Sequence, residues 1–239
     1  MANTRSVYFS GKIIETTVTD KASIADAWVV NISSIYGGQK IVVGLDSEWR
    51  PHPNRDLDNT TAVLQLCVDT KCLIVQMFFM DYIPESLKNF LSDPNVTFVL
   101  VEVARDVAKL KNEYGLQCNS IADVRDLTLK RWPNVFYRKP GLKDVARLVV
   151  GLEMPKPKDV CRSDWQSRVL DYMQIEYACI DAYASFKIGH KLLKEIRPFQ
   201  GLFCSTEGLY RLLEVWRLMC DLRFRISWLF DPQLWKIIG

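Results

Sequence analysis

The stretch that most constrains this chain is 41–49, IVVGLDSEW. It is an apolar run of strand length that ends in two carboxylates. Side chains alternate along a strand, so Asp46 and Glu48 share one face with Val42 and Gly44. Two acids on one strand face repel each other. Either the strand ends there and both face solvent, or a basic partner lies nearby, or a divalent cation serves directly. Hard oxygen ligands suit Mg²⁺ or Mn²⁺.

The surrounding pattern predicts a sheet. The opening stretch 7–19 is rich in β-branched and aromatic residues and predicts a strand or hairpin. A helix is expected over 20–35, with Asp20 as N-cap and Ile24, Trp28 and Ile32 at four-residue steps. Strands are expected at 62–69 and 72–79, joined by Thr70-Lys71, and again at 96–103. A short helix opens at Pro84. Beyond 103 the pattern turns helical: 105–114, 120–130 after a short strand, 141–151 between two glycines, and a long stretch from 164 to 196. Strands first and helices later, with βαβ-like connections, predict a mixed sheet flanked by helices.

Further acids recur where a plain core would exclude them. Asp106 follows the apolar run 96–103. Asp181 sits within YACIDAY among Ala178, Ile180, Ala182 and Ala184, with Tyr177 one helical turn earlier. A buried ion pair would account for Asp181, and a core position for Tyr177, if each stood alone.

In order, VVGLDSEW, VLVEVARDVAKL and YACIDAYASFKI resemble the three motifs of the DEDD superfamily of 3′–5′ exonucleases, in its tyrosine branch. The supporting stretches TAVLQLCVD and GLKDVARLVVGLEMPKPKDVCRSDW are similar to those of the Werner-type exonuclease domain, its plant members in particular. The resemblance spans about residues 7–197. It implies an α/β, RNase H-like (DnaQ-like) mixed sheet of five or six strands with helices on both faces. It also implies that Asp46, Glu48, Asp106 and Asp181 hold two divalent ions, Mg²⁺ or Mn²⁺. Tyr177 would orient or help deprotonate the attacking water. Glu176 stands where the histidine branch would place its histidine. In the second motif, Leu100 and Glu102 replace two glycines that the Werner type usually carries.

Charge adds a candidate substrate face. The chain carries 31 basic and 28 acidic residues, a net +3, which excludes a histone-like polycation. Between 121 and 170, however, eleven Lys/Arg face six acids, an excess of five. Arg138, Lys139, Lys156, Lys158 and Arg162 lie near Trp132, Phe136 and Tyr137 and are candidate phosphate contacts for a single strand. Trp165 reads as a core anchor. Leu64 and Gln65 follow the first motif and are expected to abut the terminal nucleotide.

These expectations combine into a metal-dependent 3′–5′ exonuclease acting on single-stranded RNA or DNA. The other reading is a weakly active or inactive nuclease-fold module that serves binding or oligomeric assembly. The domain is expected over 1–197, with an aromatic-rich helical tail over 198–239 that carries a Leu209/Leu212/Leu213/Trp216 stripe. Seven cysteines without a CxxC pair, and only His52 and His190, give no zinc finger and point to a reducing compartment, nucleus or cytoplasm. No signal peptide and no membrane span are visible. A homo-oligomer is implied by ring-forming plant relatives.

Overall fold

The computed structural model describes residues 3–54, 59–155 and 157–195. The tail expected over 198–239, with Cys220, lies outside the described residues, as does Lys156.

Strands β1 (Asn3–Phe9) and β2 (Lys12–Thr19) form a hairpin. Helix α1 (Ala22–Tyr36) leads to β3 (Ile41–Glu48), β4 (Val63–Val68) and β5 (Lys71–Val75). A 3₁₀ turn at Met77–Phe79 and α2 (Glu85–Ser92) precede β6 (Val96–Leu100). Then come α3 (Val103–Tyr114), β7 (Ile121–Asp123), α4 (Val124–Arg131), α5 (Leu142–Val150), the short α6 (Lys158–Cys161) and α7 (Tyr172–His190). No described helix is long and apolar enough to cross a membrane.

The sheet is mixed, in the order β1-β2-β5-β4-β3-β6-β7. Strand β3 is interior, antiparallel to β4 and parallel to β6. Seven strands replace the five or six implied, with the opening hairpin at one edge and the three-residue β7 at the other.

Two cores form because the strands are apolar on both faces. Val42, Val63, Cys67 and Ile74 pack with α4, α5, α6 and α7 on one face. Val43, Leu45, Leu64, Leu66, Leu73 and Val75 pack with α1, α2 and α3 on the other. Trp165 is buried in the first core, as expected. Cys67, Cys72 and Cys179 are buried free thiols.

Five boundaries differ from the sequence expectation. The strand expected over 72–79 ends at Val75, and Met77–Phe79 form a 3₁₀ turn instead. The N-cap of α1 is Lys21; the Asp81 carboxylate accepts the Ala22 N–H at 2.9 Å, while Asp20 pairs with Arg168 at 2.8 Å. The β4–β5 loop is Asp69-Thr70 rather than Thr70-Lys71, because Lys71 pairs with Val68 and Asp69 takes the positive φ of 50°. Strand β6 stops at Leu100, and Glu102 turns the chain into α3 with a φ of 64°. The long helix starts at Tyr172, not 164; Asp171 caps it by accepting the Gln174 N–H at 2.8 Å.

Candidate active site

Strand β3 delivers Asp46 and Glu48 to the face covered by α7. Helix α7 reaches them because Gly44 leaves room. A Cβ on Gly44 would overlap the Ala182 carbonyl oxygen and lie 2.5 Å from the Phe186 nitrogen. Strand and helix backbones therefore touch two residues before Asp46 and one after Asp181. Farther along, Gly189 repeats this against β6, where a Cβ would lie 2.6 Å from a Val99 methyl.

The result gathers three carboxylates. Oxygens of Asp46, Glu48 and Asp181 lie within 4.8 Å of one another. They line a cleft of about 270 Å³ with Leu100, Val101, Glu102, Arg125, Gly141, Leu142 and Tyr177. Burial pushes the Asp46 carboxyl well above the usual carboxylate range, and the charges of Asp181, Glu48 and Asp106 push it further. The Ser47 N–H, donated to Asp46 at 2.8 Å, opposes this only in part.

Asp106 reaches the site from α3 on the sheet's other side. Its carboxylate accepts the Ser47 hydroxyl at 2.5 Å and stays outside the three-carboxylate group. Burial raises its pKa to about 6, against the lowering effect of that hydrogen bond. Ser47 faces away from Asp46 and Glu48 by strand alternation, so one strand end holds carboxylates on both of its faces.

Tyr177 lies one turn before Asp181 on α7, and its ring packs 6.0 Å from that of Trp165. Its hydroxyl is 3.0 Å from the Cys161 sulfur. Burial first, then Asp181 and Glu48, raise its pKa far above the ordinary phenol value. Glu176 points elsewhere and accepts the Tyr172 hydroxyl at 3.3 Å.

The donor set fits a hard divalent cation: clustered oxygens, one carboxyl driven toward its protonated form, and a polar cleft open to solvent. A cation there would offset the repulsion that raises Asp46.

The expected substrate contacts fare unevenly. Leu64 is fully buried and packs in the core on the opposite face, because it neighbours Gln65 on β4 and must point the other way. Gln65 pairs in register with Asp46 and is fully buried, with neither amide atom hydrogen-bonded among the described residues. Arg138 is exposed and paired with Asp144 at 3.1 Å. Lys158 and Arg162 are exposed at the two ends of α6 and do not line the cleft. Lys139 pairs with Glu102 at 2.5 Å.

The sequence reading missed Arg125. Among the described residues it is the one basic residue lining the cleft, and it donates to Glu102 at 3.0 Å and to the Pro140 carbonyl at 3.5 Å. Only its place in the basic excess of 121–170 pointed to it.

Comparisons with known proteins bear on the family and the fold. A family model described as 3′–5′ exonuclease matches residues 17–197. A 3′–5′ exonuclease of Arabidopsis thaliana is 30% identical over 198 residues, which cover 81% of this chain and 67% of the relative. The mouse bifunctional 3′–5′ exonuclease/ATP-dependent helicase WRN is 29% identical over 152 residues, 63% of this chain and 11% of that protein. The chain thus spans only part of these relatives. In structure it is similar to Escherichia coli RNase D, with a TM-score of 0.61 and 20% identity over 74% of this chain and 44% of that one. The exonuclease domain of Aedes aegypti Nibbler superposes with a TM-score of 0.59 and 18% identity, over 75% and 89% of the two chains. With its motifs inside the matched span and its sheet that of RNase D, the chain belongs to the 3′–5′ exonuclease domain family.

Proposed function

We propose that this chain hydrolyses single-stranded RNA or DNA from its 3′ end with two divalent ions, Mg²⁺ or Mn²⁺. The observation that carries the reading is the convergence of Asp46, Glu48 and Asp181 within 4.8 Å in an open cleft beside Tyr177. Asp46, Glu48, Asp106 and Asp181 would hold the ions. When bound, such ions supply a nucleophile at neutral pH and offset charge on the phosphate.

The protein's own groups do the rest. Asp46, whose carboxyl feels the charges of Asp181, Glu48 and Asp106, would be one of the ligands. Ser47 holds Asp106 in one orientation through its hydroxyl. Tyr177 stays a phenol at neutral pH, so its hydroxyl orients water by hydrogen bonding and does not take its proton. Gln65 brings a fully buried, unpaired amide beside Asp46 on the neighbouring strand. Arg138, Lys158 and Arg162 remain candidate contacts for the strand outside the cleft, with Lys156.

The domain is taken as 1–197 and the tail as 198–239. Buried free thiols support a reducing compartment such as nucleus or cytoplasm. Self-association is part of the proposal, carried over from the resemblance to a family in which some small plant members form ring-like homo-oligomers.

The test is a 3′- or 5′-labelled oligonucleotide incubated with the protein and Mn²⁺, run in parallel on RNA and DNA. Laddering from the 3′ end that Asp46→Ala abolishes is expected. Absence of laddering, with no Mn²⁺-induced rise in melting temperature, would favour an inactive binding or assembly module.

A further inference from the structure

Glu102 stands at the rim of the carboxylate cleft and is paired with two basic side chains. It accepts from Arg125 at 3.0 Å and from Lys139 at 2.5 Å, and the two hold its carboxylate below its usual pKa, Lys139 foremost. The Arg125 side chain is 9% exposed, so an anion beside its charge is favoured, with the Pro140 carbonyl as a second acceptor. Lys139, at 66%, is free to swing. Glu102 keeps this position although its φ of 64° is one that side-chain-bearing residues rarely adopt. Its N–H is tied to the Asp123 carboxylate at 2.7 Å. A carboxylate and a phosphodiester present the same kind of paired acceptor oxygens to a guanidinium.

We propose that Arg125 and Lys139 form a phosphate subsite of the cleft, which Glu102 fills in place of the substrate and from which an incoming strand must displace it. The inference rests on the exonuclease reading for its ligand, a nucleic-acid phosphodiester. The pairing is an exchange. Arg125 passes from one anion to another and is never left bare, Lys139 follows, and Glu102 turns to solvent at the rim. The substitution in the second motif thus sets a threshold on strand entry and leaves every carboxylate ligand in place.

Binding of a fluorescein-labelled single-stranded oligonucleotide to the full chain in EDTA, followed by anisotropy, tests this. Glu102→Gln keeps the acceptor oxygen for Arg125 and removes the charge. It should bind three- to tenfold tighter, with a log Kd against log salt slope steeper by about 0.7 for each phosphate gained. Lys139→Gln should change affinity little in the native background and cancel most of the gain in the Glu102→Gln background, a non-additivity that plain charge removal does not produce. Unchanged or weaker binding by Glu102→Gln, or additive effects of the two substitutions, overturns the proposal. If Glu102→Gln melts early, Glu102→Gly, which suits the positive φ, carries the same comparison. Failure of the exonuclease reading shows separately, as native protein that leaves 3′ ends intact in Mn²⁺.

Discussion

Gly44 and Ala182 bring strand β3 and helix α7 into backbone contact, and the carboxylates of Asp46 and Asp181 meet as a result. Gly44→Ala places a methyl where the Ala182 carbonyl already sits. Overpacking of this kind costs about 1–3 kcal/mol, and here the obstacle is backbone that cannot rotate away. We expect a lower urea midpoint and, because the helix must shift, weaker Mn²⁺ binding by calorimetry. An unchanged metal affinity would show that Gly44 does not set the Asp46–Asp181 spacing.

Asp181→Asn should have opposite effects on activity and on metal-free stability. Loss of the carboxylate should cut nuclease activity at least about 100-fold, equivalent to about 2.7 kcal/mol. In EDTA the same variant should be no less stable than the native protein, since a charge that raises Asp46 is gone. Urea titrations with chelator and oligonucleotide assays with Mn²⁺ check the two halves.

The raised carboxyls give the metal-free fold a defined pH dependence. Asp46 lies well above its usual range and Asp106 is raised to about 6, so the folded state holds protons that the unfolded chain releases. Folding stability from Asp106 is therefore lost as pH rises from about 4 through about 6, and Asp46 acts in the same direction. Metal replaces those protons. The Mn²⁺-induced rise in melting temperature should be larger at about pH 7.5 than at about pH 5. Differential scanning fluorimetry with and without EDTA reads this directly.

Tyr177→Phe separates the hydroxyl from the ring. The ring keeps its place against Trp165, so stability should change by no more than about 1 kcal/mol. Metal binding should persist, because no carboxylate is removed. Activity should fall by about 100-fold, the low end of what a positioned proton-transfer or water-orienting group contributes. A variant at native rates would remove Tyr177 from the chemistry.

How far the sequence could be read depended on the kind of information each feature needed. The Asp46–Glu48 pair was legible because alternation along one strand is a local rule. The Tyr177–Asp181 pair was legible from helical spacing. Leu64 was misjudged although the same alternation excludes it: if Gln65 opposes Asp46, its neighbour points to the other core. The start of α7 was also readable in principle, since Asp171 and Gln174 stand at capping-box spacing. The end of β6 was not. Val101 and Val103 continue the apolar run through the turn at Glu102, and hydrophobicity does not mark where a backbone reverses. Arg125 lay beyond any local rule, because its partner Glu102 is 23 residues away and belongs to another element.

The strand and the helix that meet at Gly44 and Ala182 donate their carboxylates from positions 135 residues apart in the chain. A polypeptide growing from its N-terminus acquires Asp46 and Glu48 early, yet carries half a site until α7 has emerged and docked. A chain ended before α7 carries Asp46 and Glu48 without Asp181, so the three-carboxylate group forms only once the last element of the site has been made and docked.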